Sequence, residues 1–94
     1  MNKTDIIDKV AEDIRVNQKI AKIAVETIIE SISKAIIEGD RVEIRGFGNF
    51  TLRNYKAYRG RNPKTGEVVN VPPKKLPYFK VGKELKDMIW KAQD

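Results

Sequence analysis

The residues best suited to recognition chemistry lie in one run, Gly60-Arg61-Asn62-Pro63-Lys64-Thr65-Gly66. Arginine and asparagine are side-chain types that hydrogen-bond to base edges in the grooves of a duplex. Pro63 is a rigid apolar unit among the cations Arg59, Arg61 and Lys64. A wedge of this kind at the end of a basic ribbon can enter between base steps, unstack them and kink the duplex. A turn proline standing alone is an ordinary feature; the place of Pro63 at an apex among three cations favours the wedge. Other chemistry is scarce. The chain has no cysteine and no histidine. That excludes disulfides, thiolate or imidazole metal sites, and every catalytic scheme built on either residue. The carboxylate pairs Glu26/Glu30 and Asp8/Glu12 fall four residues apart in helical stretches, where a solvated face is their simpler role. No glycine-rich phosphate loop with its Lys-Ser/Thr ending is present. No enzyme, cofactor, metal or small-molecule substrate is expected.

Charge points the same way. The 94 residues carry 19 Lys+Arg against 13 Asp+Glu, net +6. Residues 1–47 hold 8 basic and 9 acidic side chains, residues 48–94 hold 11 and 4, and Arg53 to Lys86 alone hold 10 and 2. A cationic segment on a near-neutral base is an electrostatic footprint for a polyanion. A basic face kept for solubility is the plain alternative, and nucleic acid is preferred to a membrane surface. No leader-like apolar stretch opens the chain and no run is long and apolar enough to span a membrane, so a soluble intracellular protein is expected.

Four kinds of element must position these residues. Residues 3–14 form an amphipathic helix with Ile7, Val10, Ala11 and Ile14 on one face. Asn2 or Thr4 can cap it, and Asp5 and Asp8 suit its start. Arg15-Val16 turns the chain, and Asn17 caps a second helix from Gln18 to Glu38, ended by Gly39. The stripe Ala21, Val25, Ile28, Ile29, Ile32, Ile36 is widened by Ile20, Ile23, Ala24, Ala35 and Ile37. That is more apolar surface than the first helix covers, so part of it packs against another copy of the chain. From Arg41 the period becomes two, with Val42 and Ile44 alternating and a turn or bulge between Gly46 and Gly48. Phe50 and Leu52 resume a strand that runs to Arg59. Residues 60–66 form a hairpin tip, and Glu67–Val71 return. Pro72-Pro73 place that point at an edge or end of the sheet. Leu76, Tyr78 and Phe79 re-enter the core, and a last helix runs from Lys83 to Lys91 with Leu85, Met88 and Ile89 inward. The fold class is α+β, one domain over 1–94. Residues 1–52 and 76–94 make the body, and 53–75 a basic β-arm. Ten strand residues reach roughly 33 Å at about 3.3 Å each. Such an arm is marginal alone and orders on an anionic partner.

Three runs, Gly46-Phe47-Gly48-Asn49-Phe50, the 60–66 tip, and Pro77-Tyr78-Phe79-Lys80-Val81-Gly82-Lys83-Glu84-Leu85-Lys86, resemble the HU / integration host factor family of bacterial DNA-bending proteins. The resemblance covers about 90 residues in the family's order and spacing. That family is itself among the type examples of minor-groove wedging. The resemblance implies an intertwined dimer, identical or with a paralogous chain. Its body would hold two N-terminal helices, a three-stranded antiparallel sheet and a short C-terminal helix, and a long arm from each chain would embrace duplex DNA. It implies a cytoplasmic protein of the bacterial nucleoid. Phe47, Phe50 and Phe79 would centre the dimer core beside Val25, Ile28, Ile29 and Ile32. Pro63 would intercalate, with Arg61 and Asn62 in the minor groove. Lys80, Lys83 and Lys86, the backbone at Gly46 and Gly82, and Lys3 at a helix start would hold phosphates. The remaining contacts implied are Arg45 on the body, Arg53, Tyr55, Lys56, Tyr58 and Arg59 on the outgoing strand, Lys64, Thr65 and Gly66 at the tip, and Lys74 and Lys75 on the return.

This sequence departs from many relatives in having Tyr55 and Tyr58 where they carry arginines, which leaves open which strand face meets phosphate. Val81 replaces a hydroxyl residue, which should weaken the cap of the last helix. The tail Trp90-Lys91-Ala92-Gln93-Asp94 runs slightly past many relatives. Arg41-Val42-Glu43-Ile44-Arg45-Gly46 resembles the beta subunit of integration host factor, implying some sequence preference; plain strand alternation is the alternative. RNA is the competing partner, since Tyr55 and Tyr58 could stack bases, but the proline-tipped ribbon has no use there.

Overall fold

In a computed structural model that describes residues 1–92, the chain forms two compact units divided at Ala35. Gln93 and Asp94, the end of the expected tail, lie outside the described residues.

The first unit holds α1 (Lys3–Ile14) and most of α2 (Gln18–Ile37). Local chemistry sets the ends of both helices. The Asp5 N–H donates to Asn2 Oδ1 and the Asn2 N–H donates to Asp5 Oδ2, each at 2.9 Å, a reciprocal capping box. Arg15 closes α1 in the left-handed region (φ 56°), and Val16 N–H bonds to the Ala11 carbonyl. The Ile20 N–H then donates to Asn17 Oδ1 (2.9 Å), so Asn17 caps α2 as expected. Ile7, Ala21 and Val25 are buried together, with Val10, Ala11 and Val16 packed against them. The rest of the α2 stripe is uncovered in the single chain: Ile28 is 60% exposed, Ile29 43%, and Ile32 half-buried.

The second unit is built on an antiparallel sheet of order β1-β2-β5, from β1 (Val42–Ile44), β2 (Gly48–Tyr55) and β5 (Lys74–Val81). Gly46 (φ 84°) turns β1 into β2, and the Phe47 N–H closes that turn on the Ile44 carbonyl. The register pairs Phe50 with Phe79 and Val42 with Phe50. Because side chains alternate, Val42, Ile44, Phe50, Leu52, Phe79 and Val81 share one face. Phe47 joins them, its ring centroid 5.2 Å from Phe79 and 6.4 Å from Phe50, with Phe50 and Phe79 4.9 Å apart. Gly48 lies under this cluster, where a Cβ would stand 2.5 Å from the Phe79 ring and 2.6 Å from the Lys80 carbonyl oxygen. Gly48→Ala is therefore expected to destabilise the fold by about 1–3 kcal/mol, read as a lower urea midpoint at unchanged slope.

Beyond Tyr55 the expected single strand is interrupted. Lys56-Ala57 leave the ladder opposite Pro72-Pro73, whose nitrogens carry no hydrogen to continue it. A separate hairpin of β3 (Tyr58–Arg61) and β4 (Val68–Val71) follows, in the register Tyr58↔Val71 to Arg61↔Val68. Its tip is shorter than the seven residues expected. Gly60 and Arg61 lie in β3, and the Asn62 N–H extends the pairing to the Glu67 carbonyl (2.9 Å).

Helix α3 (Lys83–Ala92) completes the unit. The Lys86 N–H bonds to the Gly82 carbonyl, so Gly82 is the cap; Val81 is the last residue of β5, paired with Gly48, and its missing hydroxyl costs no cap. Met88 and Ile89, expected inward, are 58% and 51% exposed, while Leu85 is half-buried. Leu76 and Tyr78 are also corrected. Alternation from Phe79 puts them on the opposite face of the sheet, largely exposed, and Phe79 alone of the three joins the aromatic cluster.

Candidate nucleic-acid interface

The face of the sheet opposite the phenylalanines collects the polar residues. Asn49, Thr51, Arg53 and Tyr55 of β2 stand beside Lys80, Tyr78, Leu76 and Lys74 of β5, each pair directly opposed. Three cations, two phenols, a hydroxyl and an amide thus share one surface. All are donors suited to phosphate oxygens and sugars. The Arg53 guanidinium carbon lies 3.3 Å from the centroid of the Tyr78 ring. Lys74 Nζ lies 5.5 Å from the Tyr55 ring. Both tyrosines therefore seat cations from the neighbouring strand, and Tyr78, which sequence reading placed in the core, lies on the candidate interface. Only the register reveals it: once Phe50 is set against Phe79, residue 78 must fall beside Arg53's face.

The hairpin repeats this two-sidedness. Tyr58, Gly60, Val69 and Val71 share one face. A Cβ at Gly60 would stand 3.5 Å from the Tyr58 ring and 3.8 Å from each valine, so these side chains close over the glycine. Arg59, Arg61, Asn70 and Val68 occupy the other face. Tyr58 is thus an apolar prop, and the cationic face of the arm is the one bearing Arg59 and Arg61. Asn70, which the sequence did not single out, lies directly across from Arg59.

At the tip, Asn62 is half-buried and Pro63 exposed. The Lys64 N–H donates to Asn62 Oδ1 (2.9 Å), the Gly66 N–H to the Asn62 carbonyl (2.7 Å), and the Glu67 N–H to Thr65 Oγ1 (3.3 Å). Asn62 and Thr65 thereby wrap the backbone round Pro63, and Gly66 supplies the left-handed residue (φ 73°) that lets the chain return. Arg61 Nη1 donates to the Gly66 carbonyl (3.3 Å), bracing the same loop.

The turn after β1 and the start of α3 form a third cluster. The Gly82 N–H bonds to the Phe47 carbonyl (2.9 Å), which ties the turn at Gly46 to the start of α3. Lys86 follows one turn on. Glu84 stands there too, its Oε2 2.9 Å from where a Cβ of Gly46 would be. Glu43 is engaged by Arg41 at 2.9 Å. Two further expected contacts of the second unit lie apart from these clusters. Lys56 sits in the interruption, and Lys75 points to the side of Asn54. Lys3, in the first unit, is 3.6 Å from Glu26 Oε1. Among the described residues no helix is long and apolar enough to cross a membrane.

Comparison with known proteins agrees with this geometry. The family model described as bacterial DNA-binding protein matches residues 1–90. A DNA-binding protein HU of Staphylococcus aureus is 46% identical over 89 residues, covering 95% of this chain and 99% of that protein. HU-1 of Halalkalibacterium halodurans is 48% identical over the same span, with the same coverage. Among solved structures, an Anabaena HU–DNA cocrystal structure superposes with a TM-score of 0.83 at 39% identity, covering 95% of this chain and 97% of that one. HU from Thermotoga maritima gives 0.65 at 31% identity, with 95% and 98% covered. A family match over residues 1–90 and near end-to-end relatives at almost half identity settle the family: the chain belongs to the bacterial DNA-binding protein family that includes HU.

Proposed function

We propose that this protein is a dimeric architectural DNA-binding protein of the bacterial cytoplasm that grips duplex DNA and bends it. It catalyses no reaction, in keeping with a family of DNA-binding proteins. The supporting observation is the placement of an exposed Pro63 at the apex of a hairpin whose one face presents Arg59 and Arg61. The polar sheet face and the Gly46/Gly82/Lys83 cluster take phosphates, the cationic face of the arm lies along the minor groove, and Pro63 enters between base steps. Affinity then comes mainly from counterion release. Selectivity comes mainly from how easily a sequence deforms, with Glu43 held by Arg41 rather than offered to a base. RNA stacking is disfavoured because Tyr55 lies against Lys74 and the exposed proline at the hairpin apex has no use there.

The test is a mixed-sequence duplex of roughly 35 base pairs, labelled at both ends for energy transfer and titrated at several salt concentrations. With about six phosphates neutralised, affinity is expected to fall about a thousandfold between about 50 and 200 mM salt. The duplex ends should approach saturably as protein binds. Tight binding with no approach of the ends would remove bending from the function, and a preference for single-stranded RNA in competition would remove duplex DNA.

A further inference from the structure

We propose that Tyr78 is a positioning residue for DNA binding: it holds the Arg53 guanidinium flat on the sheet so that its N–H edge meets a backbone phosphate without further ordering. The inference rests on the polar sheet face being a phosphate surface. A guanidinium is planar and carries its five N–H donors in that plane. With its central carbon 3.3 Å from the ring centroid, it has room only to lie face-on, an arrangement that leaves the in-plane donors clear of the ring. The stack is compatible with a bidentate phosphate contact and selects the orientation for it.

The register explains why this pair forms. Tyr78 is opposite Thr51, and Arg53 is two residues further along the same strand and face, a diagonal that long and aromatic side chains span. Leu76, directly opposite Arg53, offers no acceptor that would draw the guanidinium away. Among the ion pairs seen, none involves Arg53, so the ring is the partner the structure gives it. A long cationic side chain that is free in solution must lose its rotamer freedom on binding, which costs affinity; one already seated has lost most of it. Lys74 over Tyr55 is a looser version of the same device, since an ammonium is a compact point charge 5.5 Å from its ring.

Salt titrations of DNA binding separate this role from a direct contact or a structural one. Tyr78→Leu removes the ring but keeps the charge on Arg53. Affinity is expected to fall roughly two- to tenfold for each arm, with the slope of log affinity against log salt unchanged. Tyr78→Phe keeps the ring under Arg53 and should lose less affinity than Tyr78→Leu. Arg53→Gln should flatten the slope by about 0.9 for each phosphate left without its cation, and adding Tyr78→Leu to it should cost nothing more. Tyr78→Thr, a strand-forming residue without a ring, repeats the experiment should the leucine variant misfold, with circular dichroism confirming the fold. An equal loss on removing the ring with or without Arg53 would overturn positioning, as would no loss at all or a loss in Tyr78→Phe as large as in Tyr78→Leu. If Arg53→Gln leaves the slope intact, the phosphate surface itself is misplaced and the inference falls with it.

Discussion

Pro63→Ala is expected to abolish most of the DNA bend while leaving most of the salt-dependent affinity in place. The two quantities have separate physical origins in this chain. Affinity is a sum over cations, and the substitution removes none of them. Bending needs a rigid apolar body to replace the stacking lost when a base step opens, and alanine is too small to fill that gap. In the proposed mechanism the tip presents such a body. Asn62 Oδ1 holds the Lys64 N–H and its carbonyl holds the Gly66 N–H, so the loop geometry is set by residues on either side of the proline. An alanine there keeps a similar backbone and presents only a methyl group. Energy transfer on end-labelled duplex, read at saturation, gives the bend; the midpoint gives the affinity. An unchanged bend would remove the wedge from the mechanism, and a large loss of affinity with an unchanged salt slope would mean the proline contributes mainly by contact area.

Much of this is legible in the residues themselves. Asn2 and Asn17 announce both helix starts because capping is local chemistry, decided within four residues. The tip is legible because proline, glycine and asparagine punctuate the chain, although pairing across Arg61 and Val68 draws it tighter than composition suggests. What escapes depends on partners distant in sequence. Leu76 and Tyr78 look like core residues by type, yet their face is set by the pairing of Phe50 with Phe79, 29 positions apart, and strand alternation does the rest. The interruption at Lys56-Ala57 has no signature of its own; Pro72 and Pro73 impose it from the opposite strand. Which arm face carries the cations is decided the same way, by Gly60, whose missing side chain gives Tyr58 and two valines a place to close.

The second large effect concerns what covers the apolar surface that the single chain leaves bare. Among the described residues, only Ile7, Ala21 and Val25 are buried hydrophobic side chains, too few for a stable domain of this length. Phe47 is 44% exposed and Phe79 38%, and Ile28 and Ile29 stand open on α2. Large apolar side chains left together at this density mark a surface made for association. In the proposed dimer a second chain would supply the cover, and folding and dimerisation would be one event. The melting temperature should then rise with protein concentration, since mass action favours the associated state. Phe79→Ala should cost about 3–5 kcal/mol at each copy, comparable over two copies with the whole stability of a small domain, about 5–15 kcal/mol. The variant is expected to be largely unfolded at micromolar concentration, whereas Thr65→Ala at the tip should melt like the parent. Circular dichroism melts over a hundredfold range of concentration, beside sedimentation of the same samples, check both expectations. A folded monomer whose melting ignores concentration would overturn the dimer. A chain that folds only when a paralogous chain is added would keep the association and assign the cover to that partner, because the same exposed phenylalanines and isoleucines would still have to be buried.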